Sequence, residues 1–390
     1  MINLESIIVG CGLTGLVSAL SLYNSKVEKI LVIEKYKVRG LNLHNFDNRF
    51  IALNIASIKL MKKIDIWDKI DASNYTPYKK ITIFDSNENS KIEFDSKLLC
   101  TDSLGCIVKY SALYKALLNS FLEKKILLLE NFNISKLIYS KDYIYISDKN
   151  IFLKSRFLIS TDGKHSLIKK YLGIKNIVKN YNQVSIVCVL RTEFEHNSES
   201  YQWFHNYGTL AFLPLNNKKE VSMVWSINNS KRKELNGMTL KDLKLSLSYA
   251  SKHVLGKIQK IYSISFFNLK KVISKNYVAP KVAIIGDAIH SIHPLAGQGT
   301  NLSFSDISSL VNILVLNNSL QYNNFFLLKK FEKKQQLKNL FMIKFIDYIQ
   351  IYYLSSSPSI KKMRSINNNI FNKSFFLKEK SILFALGLIL

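Results

Sequence analysis

Ser6-Ile7-Ile8-Val9-Gly10-Cys11-Gly12-Leu13-Thr14-Gly15 runs from an apolar strand through three spaced glycines into a helical pattern that continues to Leu22. A second apolar strand, Ile30 to Ile33, follows it, so the segment reads as a βαβ unit. The glycines have separate tasks: Gly10 permits the tight turn, Gly12 lets the backbone approach a pyrophosphate, and Gly15 allows close helix-to-strand packing. Leu13 and Thr14 open the helix, whose N-terminal amides face the phosphate charge. Glu34, with Lys35 after it, ends the second strand 19 positions beyond Gly15, where an acidic side chain accepts hydrogen bonds from ribose hydroxyls. An adenine dinucleotide is the expected ligand.

Two later segments extend this reading. Phe157-Leu158-Ile159-Ser160-Thr161-Asp162-Gly163 is an apolar strand that leaves through Asp-Gly, by itself an ordinary strand exit. Val282-Ala283-Ile284-Ile285-Gly286-Asp287-Ala288 is a third apolar strand, and it delivers Asp287 where a carboxylate can bind the hydroxyls of a ribityl chain. His293-Pro294-Leu295-Ala296-Gly297-Gln298-Gly299-Thr300-Asn301 follows. Gly297 and Gly299 let the backbone pass under a flat ring, and the helix expected to begin near Asn301 would stabilise negative charge on a reduced flavin by up to ~2 kcal/mol. Seven of the 14 glycines (10, 12, 15, 163, 286, 297 and 299) fall in these three segments, a concentration that marks backbone approaching a ligand. His290 and His293 are three apart, but the loop between them, Pro294 and the lack of a nearby carboxylate or Cys cluster argue against a metal.

At 390 residues, with 47% hydrophobic residues and a mean hydropathy of +0.04, the chain is large enough for two packed domains. Its net charge of +27 comes from lysines spread along the chain, with only six Arg (39, 49, 156, 191, 232 and 364), and no nucleic-acid-binding signature accompanies it. Cys11, Cys100, Cys106 and Cys188 form no CxxC pair, which points to a reducing compartment. No secretory signal pattern opens the chain, and the apolar run Ile382 to Leu390 has nine residues against the ~20 needed to cross a bilayer. Cytoplasmic location is expected, peripheral on the inner face of the membrane.

The expected fold is α/β: a Rossmann-like FAD-binding domain with an interleaved antiparallel-sheet substrate domain and a C-terminal helical region. Residues 1–75, 100–177 and 273–320 form the first domain. Residues 76–99 and 178–272 give the substrate domain, where Val184 to Leu190, Thr209 to Leu213 and Glu220 to Ile227 read as strands. Residues 321–390 are helical, with apolar positions at helical spacing among lysines from Asn323 to about Tyr353.

With the three segments in order, the sequence resembles the class A flavoprotein monooxygenases, most closely the ubiquinone-biosynthesis hydroxylases. Asp47-Asn48-Arg49, Leu104-Gly105, Tyr181-Asn182-Gln183, Leu210 to Leu215, Val224-Trp225-Ser226 and the His-Pro-Leu-Ala-Gly-Gln-Gly-x-Asn string carry the resemblance. It implies FAD as cofactor, NAD(P)H as transient reductant, and O2 delivered through a flavin C4a-hydroperoxide to a polyprenylated phenol or quinol. Pro77-Tyr78-Lys79-Lys80 and Ala385 to Leu388 favour the late demethoxyubiquinol hydroxylation. It also implies that Arg49 lies near the flavin, that Asp162 and Gly163 serve the pyrophosphate and the nicotinamide, and that Pro294, Gly297, Gln298, Gly299, Thr300 and Asn301 line the isoalloxazine. Lys169 stands where the family has Arg, which removes a planar fork from the expected nicotinamide site. The same frame would serve a flavin-dependent isoprenoid reductase, or a non-catalytic flavin-binding subunit of a ubiquinone-biosynthesis complex. Lysines between Phe325 and Tyr353 suggest that the C-terminal region also contacts the membrane surface.

Overall fold

The computed structural model describes residues 3–38, 49–85, 90–316 and 325–388. Asp47, Asn48 and the expected boundary at 320/321 lie outside them. In chain order come β1 (Asn3–Val9), α1 (Leu13–Asn24), β2 (Ile30–Ile33), β3 (Phe50–Asn54), α2 (Ile55–Lys63), β4 (Tyr75–Tyr78), β5 (Lys80–Asp85), β6 (Lys91–Asp95), β7 (Gly105–Lys109), α3 (Tyr110–Glu123) and β8 (Leu127–Leu129). Then follow β9 (Lys136–Tyr139), β10 (Ile144–Ser147), β11 (Phe152–Ser160), α4 (Leu167–Tyr171), β12 (Asn176–Thr192), β13 (Glu199–His205), β14 (Gly208–Pro214), β15 (Glu220–Asn228), α5 (Asn229–Asn236), α6 (Leu240–Ala250) and β16 (Ile258–Ser274). The last are β17 (Val278–Ala279), β18 (Val282–Ile284), β19 (His290–Ser291), α7 (Gln298–Leu316), α8 (Phe325–Leu354), α9 (Pro358–Lys373) and α10 (Phe375–Ala385).

One sheet runs β17-β18-β11-β1-β2-β8, with β10 and β9 beside β11. Its centre is parallel: β1 pairs with β2 and β11, β2 with β8, and β11 with β18. That is why these strands read as unbroken apolar runs rather than alternating ones; every residue of β2 is buried. The three glycine-containing segments thus leave neighbouring parallel strands at one sheet edge, where ligands of open α/β sheets collect.

A second sheet has the order β19-β16-β12-β15-β14-β13-β5-β6, so β5 and β6 cross over from the first part of the chain. β4, at 75–78, instead joins β3 and β7 in a small sheet, and β19 carries His290 and Ser291 of the flavin segment into the second sheet. The second sheet is covered on one face by α6, through Ile186, Cys188, Trp203, Phe212, Met223, Trp225 and Leu247.

The C-terminal helices are built into the body. Phe331 of α8 belongs to the core of the first sheet, Met342, Ile346 and Tyr353 pack on Phe204 and Leu295, and Ile382 of α10 packs with Tyr78 and Val189. Arg364 of α9 fastens this layer. Its Nε donates to Asp85 Oδ2 at 2.8 Å, and its Nη1 donates to the carbonyls of Tyr352, Tyr353 and Ser355, with both charged side chains fully buried. Replacing one partner takes its ion-pair partner from a fully buried charge, so Arg364→Met should lower the unfolding free energy by about 3–5 kcal/mol. Denaturant titration should show Arg364→Met/Asp85→Leu recovering a large part of that loss; additive losses would refute the pairing.

Candidate cofactor and substrate site

The dinucleotide end is built from backbone crossing backbone. Gly10 has φ +103°, a conformation that suits glycine, and its amide donates to Ile33 O at 2.8 Å. Thr161, at the end of β11, ties across through its amide and its Oγ1, both donating to Val9 O. A Cβ on Gly15 would lie 1.9 Å from Gly10 O, so the helix approaches the turn as closely as glycine permits. A Cβ on Gly12 would meet nothing within 4 Å. Gly12 is also the N-cap of α1 and supplies no side-chain hydrogen bond, so the first amides of the helix, those of Leu13 and Thr14 among them, have no side-chain cap among the described residues. Glu34 Oε2 accepts from Cys11 N at 2.7 Å, and Oε1 accepts from Lys35 N and Tyr36 N. The carboxylate therefore stands at the glycine turn, while the Lys35 ammonium lies over the Tyr36 ring.

At the flavin end Asp287 is exposed between buried Gly286 and Ala288, and its carboxylate makes no hydrogen bond among the described residues. Arg49 stacks its guanidinium on Tyr110 at 4.5 Å. Burial raises the Tyr110 pKa, with the Arg49 charge opposing and the Asp287 charge adding to the shift. The expected Asp162 is differently engaged: it accepts from Ser160 Oγ, Leu167 N and Ile168 N, and so holds the start of α4. Next to it, a Cβ on Gly163 would meet open space.

The segment from His290 to Asn301 is held by buried polar contacts. His290 Nε2 pairs with Asp306 Oδ2 at 2.7 Å, and Asp306 also accepts from Gly286 N and Asn339 Nδ2. Burial would depress the His290 pKa, but the adjacent Asp306 carboxylate overrides this and leaves it raised. His293 is pushed down to about 3 by burial, against a weaker opposing effect of Asp347. Its Nδ1 accepts from Leu295 N, which puts the proton on Nε2, 3.0 Å from Gln183 Oε1. Both histidines are thus committed within the protein, and no metal-binding group of side chains occurs among the described residues.

Helix α7 begins at Gln298, three residues before the expected Asn301, so Gly299 and Thr300 lie in its first turn. The Asn301 carboxamide is saturated internally: Oδ1 accepts from Asn54 N and Ser57 Oγ, and Nδ2 donates to Ala52 O and Gly297 O. It clamps the loop and can offer a ligand only its main chain. Gly297 rests on Ala52, whereas a Cβ on Gly299 would meet nothing within 4 Å. Lys169 departs from expectation too. It is 3% exposed, its Nζ donates to Asn176 Oδ1 and Ser274 Oγ, and burial lowers its pKa despite Asp162. It joins α4 to the first and last residues of the β12–β16 pair instead of facing a nicotinamide. Asp306 was missed in the sequence although its spacing is visible, since Leu302, Asp306 and Leu310 share one face of α7.

The face of the second sheet opposite α6 turns toward this loop. Three cross-strand rows can be followed on it. Ser185, Ser226, Thr209 and Phe204 form one, Val187, Val224, Ala211 and Gln202 the next, and Val189, Ser222 and Leu213 the third. Each outer row is packed over at one side chain: Phe204 meets Leu295 and Tyr353, and Val189 meets Tyr78 and Ile382. Val187, Val224 and Ala211 between them remain half-buried. Leu295 sits in one flanking cluster and Gly297 rests on Ala52 of the other, so the loop spans a recess floored by small apolar side chains.

A helix N-terminus without a side-chain cap, three open Cβ positions at Gly12, Gly163 and Gly299, and an Asp287 carboxylate without a hydrogen bond among the described residues fit a flavin dinucleotide laid from the α1 turn to the α7 turn. The contrast between two glycines tests this. Gly12→Val should leave the thermal midpoint of the apoprotein within a few degrees of wild type and abolish FAD binding in a fluorescence titration. Gly15→Val, facing Gly10 O, should prevent folding. Retention of FAD by Gly12→Val would remove the pyrophosphate from this turn.

The sequence profile of the family described as FAD binding domain matches residues 3–319. The chain is similar to the 3-demethoxyubiquinol 3-hydroxylase of Escherichia coli (strain K12), 26% identical over 348 residues that cover 88% of each chain. It is similar to ubiquinone biosynthesis monooxygenase COQ6, mitochondrial, of Homo sapiens, 26% identical over 435 residues covering 98% of this chain and 92% of that one. Among solved structures, p-nitrophenol 4-monooxygenase PnpA from Pseudomonas putida DLL-E4 shares the fold with a TM-score of 0.79 at 14% identity, covering 99% of both chains. Klebsiella pneumoniae HpxO complexed with FAD and uric acid has a TM-score of 0.74 at 14% identity, covering 99% of this chain and 96% of that one. The chain belongs to the FAD binding domain family, and the names of these relatives agree with its site in making it an FAD-dependent monooxygenase.

Proposed function

We propose that the protein hydroxylates the aromatic ring of a polyprenylated phenol or quinol in ubiquinone biosynthesis, with NAD(P)H and O2 as co-substrates, and that the late demethoxyubiquinol is its substrate. The observation that carries this reading is the recess over Val187, Val224 and Ala211, an apolar floor for a flat ring between two packed clusters of side chains. The bound FAD would supply the redox chemistry, hydride uptake from NAD(P)H and activation of O2. The chain's own residues bind and orient. Main chain at Gly12, Gly163 and Gly299 admits the cofactor closely, Asp287 offers an acceptor for ribityl hydroxyls, and Arg49, stacked on Tyr110, supplies a cation. Leu295, Phe204 and Tyr353 close the recess against water.

The protein reconstituted with FAD should consume O2 and NAD(P)H in response to a short-tailed demethoxyubiquinol and release the hydroxylated ring. Gly299→Val, which the fold accommodates, should cut product by about 100-fold by displacing the ring plane. NAD(P)H oxidation without substrate-dependent oxygen uptake would favour the reductase reading, and FAD binding with no turnover would favour the assembly subunit.

A prenylated ring partitions into lipid, and the outer surface of the C-terminal helices supports a docking role there. On α8 the buried side carries Glu332, Gln335, Asn339 and Gln350, while Leu337, Leu340, Phe341, Phe345, Tyr348 and Ile351 are exposed. The usual arrangement of a surface helix is partly inverted. On α9, Met363, Ile366 and Ile370 lie at helical spacing on the exposed side. Lys333, Lys334, Lys344, Lys362 and Lys373 are exposed on the same two helices, and basic residues near an anionic surface contribute about 1 kcal/mol each. No helix among the described residues is long and apolar enough to cross a membrane. The full chain should sediment with anionic vesicles at low salt and less with neutral ones, and Ile351→Glu/Ile366→Glu should remain folded but stay in the supernatant. Equal sedimentation of wild type and variant would remove these helices from the contact, leaving delivery by a partner of a ubiquinone-biosynthesis complex.

A further inference from the structure

The recess ends in a side chain of a different kind. Gln202 lies opposite Ala211 on one side and Ile83 on the other, in the row that contains Val187 and Val224. Its orientation follows from its neighbours: Tyr201 and Trp203 belong to the cluster under α6, so Gln202 points the other way, as does Phe204, which packs with Leu295. Only 9% of Gln202 is exposed. Its carboxamide nevertheless bonds to no protein group among the described residues, and neither of its polar atoms is among those sealed off without a partner. The hydroxyls of Ser185, Ser200 and Ser222, on the same face, are sealed in that way. Gln202 therefore reaches open space in the recess while nearly all of its surface is covered.

An amide covered on nearly all sides and unpaired within the protein leaves its donors and acceptor to water or to a ligand entering the recess. A carboxamide offers one acceptor and two donors in a plane. That set matches a ring hydroxyl flanked by a second ring oxygen, and a neutral amide orients such a ring without removing its proton. We propose that Gln202 is the residue that recognises and orients the substrate ring: Oε1 accepts from the ring hydroxyl, and Nε2 donates to the neighbouring ring oxygen. This rests on the phenol or quinol substrate proposed above. Val187, Val224 and Ala211 then supply the apolar floor, and the hydrogen bonds decide which ring carbon faces the flavin.

The test uses the full chain reconstituted with FAD and reads binding of a short-tailed phenol, and of its O-methyl ether, by perturbation of the flavin absorbance. Product formed per NAD(P)H oxidised is measured in parallel. Wild type should bind the phenol about tenfold or more tightly than the ether, as expected for one buried hydrogen bond. Gln202→Leu should bring that ratio close to one and uncouple oxidation from product, with FAD affinity and thermal midpoint unchanged, and Gln202→Asn should restore part of both. Ala211→Phe, which fills the recess, should block phenol and ether alike. If Gln202→Leu keeps the phenol preference and the coupling while Ala211→Phe still blocks binding, the role of Gln202 is overturned and the recess stands. If no phenol or quinol perturbs the wild-type flavin, the proposed substrate fails and this inference fails with it.

Discussion

The segment between β18 and α7 has little regular structure of its own, yet beside the proposed cofactor it would have to hold its shape to within a fraction of an ångström. Its position depends on Asp306, a fully buried carboxylate that accepts from Gly286 N, His290 Nε2 and Asn339 Nδ2. A buried charge is tolerated only with its partners in place, and losing one costs several kcal/mol, about 3–5 where the pair is ionic. The three partners come from the strand exit, the loop and α8. The charge therefore ties the C-terminal helices to the loop proposed to line the flavin even though none of them need touch it. The raised His290 pKa follows from the same contact, and it implies that this ring binds a proton more tightly folded than unfolded. That contribution is complete below the unfolded pKa, about 6.5, and is lost as pH rises through the folded value.

The same logic explains why several polar side chains that look like ligand contacts serve as framework. Asp162 spends its carboxylate on Ser160 and the first turn of α4, Asn301 is saturated by Ala52, Asn54, Ser57 and Gly297, and Lys169 ties α4 to Asn176 and Ser274. What remains to face a dinucleotide is mostly main chain, at Gly12, Gly163 and Gly299. Main chain fixed by satisfied side chains cannot change rotamer, so a site made this way is rigid before its ligand arrives.

This division also separates what was legible in the sequence from what was not. The strand, turn and helix of the opening βαβ unit were readable because their causes are local: apolar runs, glycine spacing and an acidic strand end. Helix α1 runs over 13–24 and β2 over 30–33, within two residues of the reading. The string from His293 to Asn301 located the loop but misjudged its helix start by three residues, and the Asn301 side chain that marked the expected start is instead held by β3 and α2, more than 240 positions away. Asp85 with Arg364, and Gln202 beneath the loop, were not legible at all. An Asp at one strand end and an Arg in a polar helix look like solvated charges until the chain has folded, and nothing in a period of two says which face of a sheet is covered.

The surface of α8 reverses the usual argument from composition. Burying apolar area contributes roughly 25 cal/mol per Å², so a helix lying on a protein body in water ought to turn Phe341, Phe345 and Ile351 inward and Gln335 and Asn339 outward. The opposite occurs because the buried side is already committed: Asn339 must reach Asp306, Gln335 donates to Ser305 O, and Glu332 accepts from Tyr277 N and Val278 N. The polar demand of α7, β17 and the segment before α7 therefore displaces part of the helix's apolar content to its outer side. There it acquires a use if the lysines around it bring an anionic surface close, because the substrate proposed for the recess dissolves in that same surface. A single set of buried hydrogen bonds thus links the shape of the cofactor loop to the character of the face that would meet the membrane.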